Sequence, residues 1–307
     1  MIFVTSYIGP DMDGTACAIA YAELMNRLGV EAEAAIMGEP TVEAVFVLNI
    51  LSVSSFLKRE KFKVTDKIVL LDASEARFFV GRLAPEQVIE VIDHRMVNEA
   101  EKFVNAKIQI EMVGAAATLV AERFREANIM PSETSARLLQ AAIISNTQNF
   151  QSKTTTEQDH NMMKWLDELA PLPDGFVHKM FEAKSDFVGD KLAIAMDAEA
   201  GSNVMNGKTV SCVQLEMIGS AVLVRDRKNE IIEILSRMKT ENGYDYIYAS
   251  FLDIEEKVNR ILCDDMSFQS FLSKALDINF ENGLALRNEI IMRKEITPLL
   301  KIVLETL

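Results

Sequence analysis

Four segments of this 307-residue chain carry residue types able to hold a hard cation. They are Gly9-Pro10-Asp11-Met12-Asp13, Leu71-Asp72, Ile92-Asp93-His94-Arg95 and Ser145-Asn146-Thr147. Divalent ions such as Mn²⁺ or Mg²⁺ take carboxylate oxygens, and Mn²⁺ also accepts an imidazole nitrogen. Asp11 and Asp13 stand two apart in a turn and can face one site. Asp72 can bridge two ions. His94 can ligate through one ring nitrogen while a neighbouring oxygen fixes the other. Two ions ~3.5–4 Å apart would activate a water and clamp phosphoryl oxygens. Each acid taken alone has an ordinary duty open to it, since Asp at a strand end is a common helix cap or turn former. Taken jointly, four acids and a histidine at successive strand ends favour metal binding.

The elements that must position these residues follow from the hydrophobic pattern. Ile2-Phe3-Val4-Thr5 reads as a strand, and a helix from about Gly14 to Leu28 stops at Gly29. Further strands are expected at 31–37, 67–71, 88–92 and 107–112, with helices around 42–51, 114–127 and 132–144. Strands alternating with helices imply right-handed βαβ units and a mostly parallel sheet flanked by helices. Ligands of such sheets sit beyond the carboxyl ends of the strands, which is where Asp11, Asp13, Asp72 and Asp93-His94 fall. The breaker cluster Pro171-Leu172-Pro173-Asp174-Gly175 follows a helix over 162–169, and 176–187 reads as a helical connector. The expected organisation is an α/β domain over 1–185 and a smaller mixed α/β domain over 190–307. In the second, strands are expected at 191–196, 209–215, 221–225 and 244–250, with helices around 229–239 and from Arg293 onward.

Composition narrows the function classes. Lys+Arg number 32 against 46 Asp+Glu, a formal charge of −14. This argues against nucleic acid or an anionic membrane as partner, since both need clustered basic residues. Cys17, Cys212 and Cys263 form no CxxC pair, which fits a reducing cytoplasm. No apolar run reaches the ~18 residues of a membrane span. The first residues lack a basic stretch and are soon interrupted by Asp11 and Asp13, so no signal peptide is expected. His160 and His178 have no partner pattern and read as ordinary histidines. Cys17 reads as buried and inert. Glu255, Glu256, Asp264 and Asp265 read as solvated faces. Thr154-Thr155-Thr156 either orients its loop or caps the next helix.

The chain also resembles the DHH phosphoesterase superfamily along nearly its whole length. It is most similar to the branch holding manganese-dependent (family II) inorganic pyrophosphatases and exopolyphosphatases, including Prune-like proteins. The opening motif, His-x-Asn-Pro-Asp-x-Asp-Ser, corresponds to Tyr7-Ile8-Gly9-Pro10-Asp11-Met12-Asp13-Gly14. Asp72-Ala73-Ser74-Glu75 matches the second motif, Asp93-His94-Arg95 the name-giving Asp-His-His, and Gly114 to Thr118 a Gly-Ser-x-x-Thr helix start. Ser145 to Thr155 matches the fourth motif, and Asp159 follows as expected. Arg293-Lys294-Glu295-Ile296-Thr297-Pro298 is similar to the basic signature of a DHHA2-type second domain. No Gly-Gly-Gly-His motif is present, which separates the chain from the oligoribonuclease and RecJ-like branch. A nuclease-like activity on short oligonucleotides or cyclic nucleotides is therefore the least supported reading.

The resemblance implies a two-metal hydrolase with its site in a cleft between the domains. Mn²⁺, or Mg²⁺ or Co²⁺, would be held by Asp11, Asp13, Asp72 and His94, with Asn146 at a further ligand position and Asp93 behind them. Asp72, Asp93 and Arg95 would be catalytic, and Arg95, Arg293 and Lys294 would bind the phosphate-containing substrate. A homodimer is a further expectation. Departures from the pattern set the expected rate. Tyr7 stands at a ligating histidine, Asn146 at a ligating aspartate, Arg95 at the second histidine, Glu199 at a phosphate-binding lysine and Met292 at an arginine. Loss of supporting groups alone costs ~10–100-fold in metal affinity or activity. Slow hydrolysis of pyrophosphate or short polyphosphate is the expected function. The alternative is a degenerate member that binds metal or phosphate compounds as a sensor or interaction module, without turnover.

Overall fold

The computed structural model describes residues 1–305, apart from the Phe78 side chain. It divides into two units, 1–183 and 184–307.

The first unit is built on an all-parallel six-stranded sheet. Its strands are β1 (Ile2–Thr5), β2 (Ala32–Ile36), β3 (Leu57–Lys58), β4 (Lys67–Leu71), β5 (Val88–Asp93) and β6 (Lys107–Ile110), in the order β3-β2-β1-β4-β5-β6. Val4 pairs with Ala34 on one side and Val69 on the other, and Leu71 pairs with Ile92. Strands β1, β4 and β5, which precede the candidate ligands, are therefore neighbours in the middle of the sheet. The apolar runs Ile68-Val69-Leu70-Leu71 and Val91-Ile92 are fully buried, as expected of strands covered on both faces. Helices α1 (Met12–Arg27), α2 (Val42–Ile50), α3 (Ala116–Glu126), α4 (Glu133–Asn146), α5 (Glu157–Leu169) and α6 (Phe176–Lys184) complete the alternation. Helix α1 packs against both α3 and α4. Small residues on α1 permit this close approach, since Ala16, Cys17, Ala18 and Ala20 are fully buried. Thr156 caps α5 in a reciprocal capping box with Asp159.

The second unit carries a mixed six-stranded sheet, ordered β11-β12-β10-β9-β8-β7. Its strands are β7 (Ala200–Met205), β8 (Lys208–Met217), β9 (Tyr246–Asp253), β10 (Val258–Leu262), β11 (Phe280–Glu281) and β12 (Leu284–Arg287). Only β8 and β9 pair in parallel. Helices α7 (Lys191–Ala198), α8 (Ser220–Asn242), α9 (Met266–Leu276) and α10 (Arg293–Glu305) pack on it.

Two segments expected as strands are helical. Over 191–196, alternation suggested a strand, but Leu192 and Met196 stand four apart and both are fully buried, while Ile194 is exposed. The helix formers Leu, Ala and Met favour that outcome. Residues 221–225 open α8, whose buried positions Val224, Ile231, Ile234, Leu235 and Met238 follow helical spacing. The β7–β8 hairpin had a signal that the expected strand at 209–215 did not use. Asn206-Gly207 forms its turn, with left-handed φ of 48° and 72°. Asp265, expected on a solvated face, caps α9 by accepting from the Phe268 backbone N–H at 3.1 Å.

Candidate metal centre

Three side chains delivered by different elements meet beyond the ends of β1, β4 and β5. Asp13 lies in the first turn of α1, Asp72 directly follows β4, and His94 directly follows β5. One ligand atom from each lies within 4.8 Å of the others, the one such cluster among the described residues. Asp13 and Asp72 are fully buried, and the His94 side chain is 18% exposed.

The local backbone explains each placement. Asp72 is left-handed (φ 52°), a conformation that Asp tolerates better than most residues, and its N–H donates to the Ile92 carbonyl at 2.9 Å. His94 is held by its own backbone N–H, which donates to Asp93 Oδ1 at 2.7 Å, and by Nδ1, 2.9 Å from the Val113 carbonyl. A carbonyl can only accept, so Nδ1 carries the proton. His94 Nε2 then faces Asp72 Oδ1 at 3.4 Å and Asp13 Oδ2 at 3.9 Å. A neutral imidazole would aim a lone pair at two carboxylates, so the arrangement calls for a cation between them, either a proton or a metal ion.

Asp13 is anchored by the start of α3. Its Oδ2 accepts from the Ala116 N–H at 2.7 Å and its Oδ1 from the Ala117 N–H at 2.8 Å. Cys17 Sγ donates to Oδ1 at 3.3 Å and Asn146 Nδ2 to Oδ2 at 2.6 Å. Asn146 thus meets the centre through its amide nitrogen. Asp11 lies outside the three-residue cluster and serves as the N-cap of α1, accepting from the Gly14 N–H at 3.0 Å. Tyr7 stands beside it, its hydroxyl oxygen accepting from the Asp11 N–H at 3.1 Å. Asp93 supports His94 and accepts a hydrogen bond from the Ser74 hydroxyl. Arg95 reaches Asp72 Oδ1 with Nη2 at 3.3 Å, lies 4.0 Å from Asp93 Oδ1, and stands over the Tyr7 ring at 5.3 Å.

Crowding of acids in a buried space shows in their protonation. Burial, then the Asp72 charge, pushes Asp11 up to about 6 and Asp13 up to about 8. Burial also raises Asp93. Burial opposes a charged His94, but the hydrogen bond and charge of Asp72, with Asp13, push it up to about 9. Burial and the nearby Asp11 and Asp72 charges raise the Tyr7 phenol well above its ordinary value, so it stays protonated. Arg95 stays charged: burial is outweighed by Asp72 and Asp93. A divalent cation suits this donor set, two carboxylates and one imidazole of fixed tautomer. Asp72 Oδ2, buried and without a hydrogen-bond partner, is the oxygen that most needs one.

The remaining sequence-predicted residues lie in the second unit. Arg293 opens α10, its guanidinium packed over Gly201, where an added Cβ would come within 2.7 Å. Its Nη1 donates to the Glu199 carbonyl at 2.6 Å and the Cys212 carbonyl at 3.3 Å. Burial lowers the Lys294 ammonium and raises the Glu199 carboxyl. The sequence reading missed Val113, Ala116 and Ala117, which act through backbone atoms that residue type does not reveal. It also missed Ser74, although this residue falls inside the second quoted motif.

Comparison with known proteins gives the family. Residues 1–144 match the family described as the DHH family, N-terminal domain. A Shouchella clausii protein named "Probable manganese-dependent inorganic pyrophosphatase" is 31% identical over 292 residues, covering 93% of this chain and 92% of that protein. A Deinococcus radiodurans protein of the same name is 28% identical, covering 98% of each. Among solved structures, a Methanococcus jannaschii protein provisionally assigned as a family II inorganic pyrophosphatase superposes with a TM-score of 0.73 at 26% identity. That match covers 99% of this chain and 100% of the other. The chain therefore belongs to the DHH family, alongside the proteins named manganese-dependent inorganic pyrophosphatase.

Proposed function

We propose that the chain is a manganese-dependent hydrolase of phosphoanhydride bonds, acting slowly on inorganic pyrophosphate or short polyphosphate in the cytoplasm. The observation that carries this reading is the convergence of ligand atoms of Asp13, Asp72 and His94, with Asp13 held by the start of α3 and His94 by the Val113 carbonyl. The names of the full-length relatives support the substrate and the metal, and three free cysteines fit a reducing compartment. Asp13, Asp72 and His94 would hold the cation. When bound, a divalent cation supplies Lewis-acid polarisation of phosphoryl oxygens and acidifies water. Arg95, permanently charged beside Asp72, offers N–H groups to a phosphoryl oxygen and offsets charge that develops there. Asp93 keeps His94 in place through its backbone N–H. Arg293 and Lys294 are proposed to bind phosphate groups of the substrate. Two features support a low rate. Tyr7 is a protonated phenol and Asn146 a neutral amide, so neither brings negative charge to the centre.

The same two residues favour a second reading, binding of a phosphate compound without turnover. Phosphate release separates the two. The purified chain is supplied with Mn²⁺, Co²⁺ or Mg²⁺ and with pyrophosphate, tripolyphosphate or longer chains. Release that disappears in Asp72→Asn is expected. No release from any combination refutes the hydrolase, and ligand-induced thermal stabilisation would then select the binding reading. Full activity in Asp72→Asn would refute the assignment of the site.

A further inference from the structure

We propose that Gly201 is a positioning residue for the substrate. Its missing side chain lets the Arg293 guanidinium lie flat on strand β7, tied back through Nη1, so that the Nε–Nη2 edge is held ready for one phosphoryl group. The inference rests on the proposed phosphate-binding role of Arg293 and names what fixes that group in place.

Gly201 is the second residue of β7 and pairs with Cys212 of β8. Its φ does not lie in the left-handed region, so backbone conformation does not call for glycine here. Space does. A Cβ at this position would meet Arg293 Cζ and Nη1 at 2.7 Å and Nε at 2.9 Å. Near-equal distances to three atoms of one planar group place the strand against the flat face of the guanidinium. Glycine inside a strand weakens it and marks a close approach of this kind. The guanidinium is also tied at one end. Nη1 donates to the Glu199 carbonyl at 2.6 Å and to the Cys212 carbonyl at 3.3 Å, which uses both of its N–H groups. The Arg293 backbone N–H donates to Gln214 Oε1, so the first turn of α10 is anchored to the same sheet.

These partners hold the group without neutralising it. Every other arginine of the chain forms an ion pair with an Asp or Glu. Arg293 has no carboxylate partner among the described residues, in a chain whose formal charge is −14. Glu199 meets it through a main-chain oxygen. Arg293 is only half-buried, and no described residue accepts a hydrogen bond from Nε or Nη2. Nε–H and one Nη2–H form the edge of a guanidinium that matches two oxygens of one phosphoryl group. Fixing that edge before the ligand arrives removes part of the ordering cost of binding.

The test uses the full chain in saturating Mn²⁺ and imidodiphosphate, a pyrophosphate analogue bridged by nitrogen, with affinity read by calorimetric titration. Gly201→Ala and Arg293→Ala are each expected to weaken binding at least tenfold, the loss of a charged hydrogen-bonded pair. The double variant is expected to bind no more weakly than Arg293→Ala, because Gly201 acts only through that guanidinium. Mn²⁺ affinity without the analogue is expected to stay the same in all three. Losses that add in the double variant, as a general disturbance of the sheet would give, overturn the proposal. So does a Gly201→Ala chain that binds the analogue as tightly as the unmodified one. Should Gly201→Ala fail to fold, Arg293→Lys is measured. It keeps the charge without the planar edge, so a loss of at least tenfold is expected and an unchanged affinity counts against the proposal. Failure here is separable from failure of the hydrolase reading. A chain that binds the analogue and shows the coupled losses but releases no phosphate loses only the hydrolase. A chain that releases phosphate but does not bind imidodiphosphate, or binds it equally in Arg293→Ala, loses only this proposal.

Discussion

Binding of Mn²⁺ must strengthen steeply as pH rises from 6 to 8, because the ion competes with protons held at the same atoms. His94 is pushed up to about 9 and Asp13 up to about 8 in the metal-free protein. Below those values each ion that enters displaces a proton from the His94 Nε2 position, and a second wherever Asp13 is protonated. One proton released changes the apparent affinity about tenfold per pH unit, and two about a hundredfold. Metal-free stability runs the opposite way. His94, raised above its unfolded value of 6.5, contributes stability that is full below that pH and is lost as pH climbs through about 9. Asp13, raised from 3.8 to about 8, keeps a proton that the unfolded chain has lost, so its contribution also falls with rising pH across that window. Because tenfold in affinity is worth about 1.4 kcal/mol at saturating ion, the Mn²⁺-induced stabilisation should grow by roughly 1.4–2.8 kcal/mol per pH unit. That corresponds to about 3–11 °C in Tm for a unit of this size. Calorimetric titration in two buffers of different ionisation enthalpy counts the protons released, and thermal melts with and without Mn²⁺ follow the stability. An affinity that is flat between pH 6 and 8, with no proton released, would refute the placement of the ion at His94 and Asp13.

Three further outcomes follow from the geometry. Asp72→Asn should abolish both Mn²⁺-induced stabilisation and phosphate release while leaving the backbone undisturbed, since Asn accepts the left-handed φ of 52° at that position; melts and circular dichroism check this. Tyr7→His with Asn146→Asp should raise phosphate release at least tenfold, the size of the loss that missing supporting groups produce; unchanged release at saturating Mn²⁺ would show that neither residue limits turnover. Gly114→Ala should destabilise the chain by about 1–3 kcal/mol, because the added Cβ would lie 2.5 Å from Thr147 Cγ2 and 2.8 Å from Asp159 Oδ2; the urea midpoint reads the cost.

What the sequence revealed divides along physical lines. The four apolar residues before Asp72, and the run Val88 to Ile92 before Asp93 that only Glu90 interrupts, were legible as strands from their length and their β-branched residues. Successive strands tend to be neighbours, as β4 and β5 are, but β1 and β4 are not successive and their pairing was not legible; the expectation that Asp13, Asp72 and His94 share one edge came from the rule that ligands of parallel sheets sit beyond the carboxyl ends of the strands. The second unit was less legible. Over 191–196, Lys-Leu-Ala-Ile-Ala-Met satisfies both a two-residue and a four-residue period, and only packing of Leu192 and Met196 decides between them. Around the centre, the illegible part is main chain. The Val113 carbonyl that sets the His94 tautomer, and the α3 N–H groups that hold Asp13, depend on backbone direction and would survive most changes of side chain.

The choice between cap and ligand, open for every acid in the sequence, is resolved differently at each position. Asp11 is a cap of its own helix. Asp13 is both at once. The start of α3 has no side-chain cap from Ala115, and its unpaired N–H groups at Ala116 and Ala117 are satisfied by a carboxylate 103 residues away. The positive end of that helix favours the ionised form of Asp13, which offsets part of the burial that raises it, and it leaves Oδ2 facing His94. Removing Asp13 would therefore open the metal site and uncap α3 together, so Asp13→Asn cannot separate ligation from folding. Asp72 is the informative position. Its Oδ2 has no hydrogen-bond partner, and helix capping does not account for its left-handed backbone. A buried charge with one oxygen unsatisfied is costly in the metal-free chain, and its retention there is explained most simply by the cation it would bind.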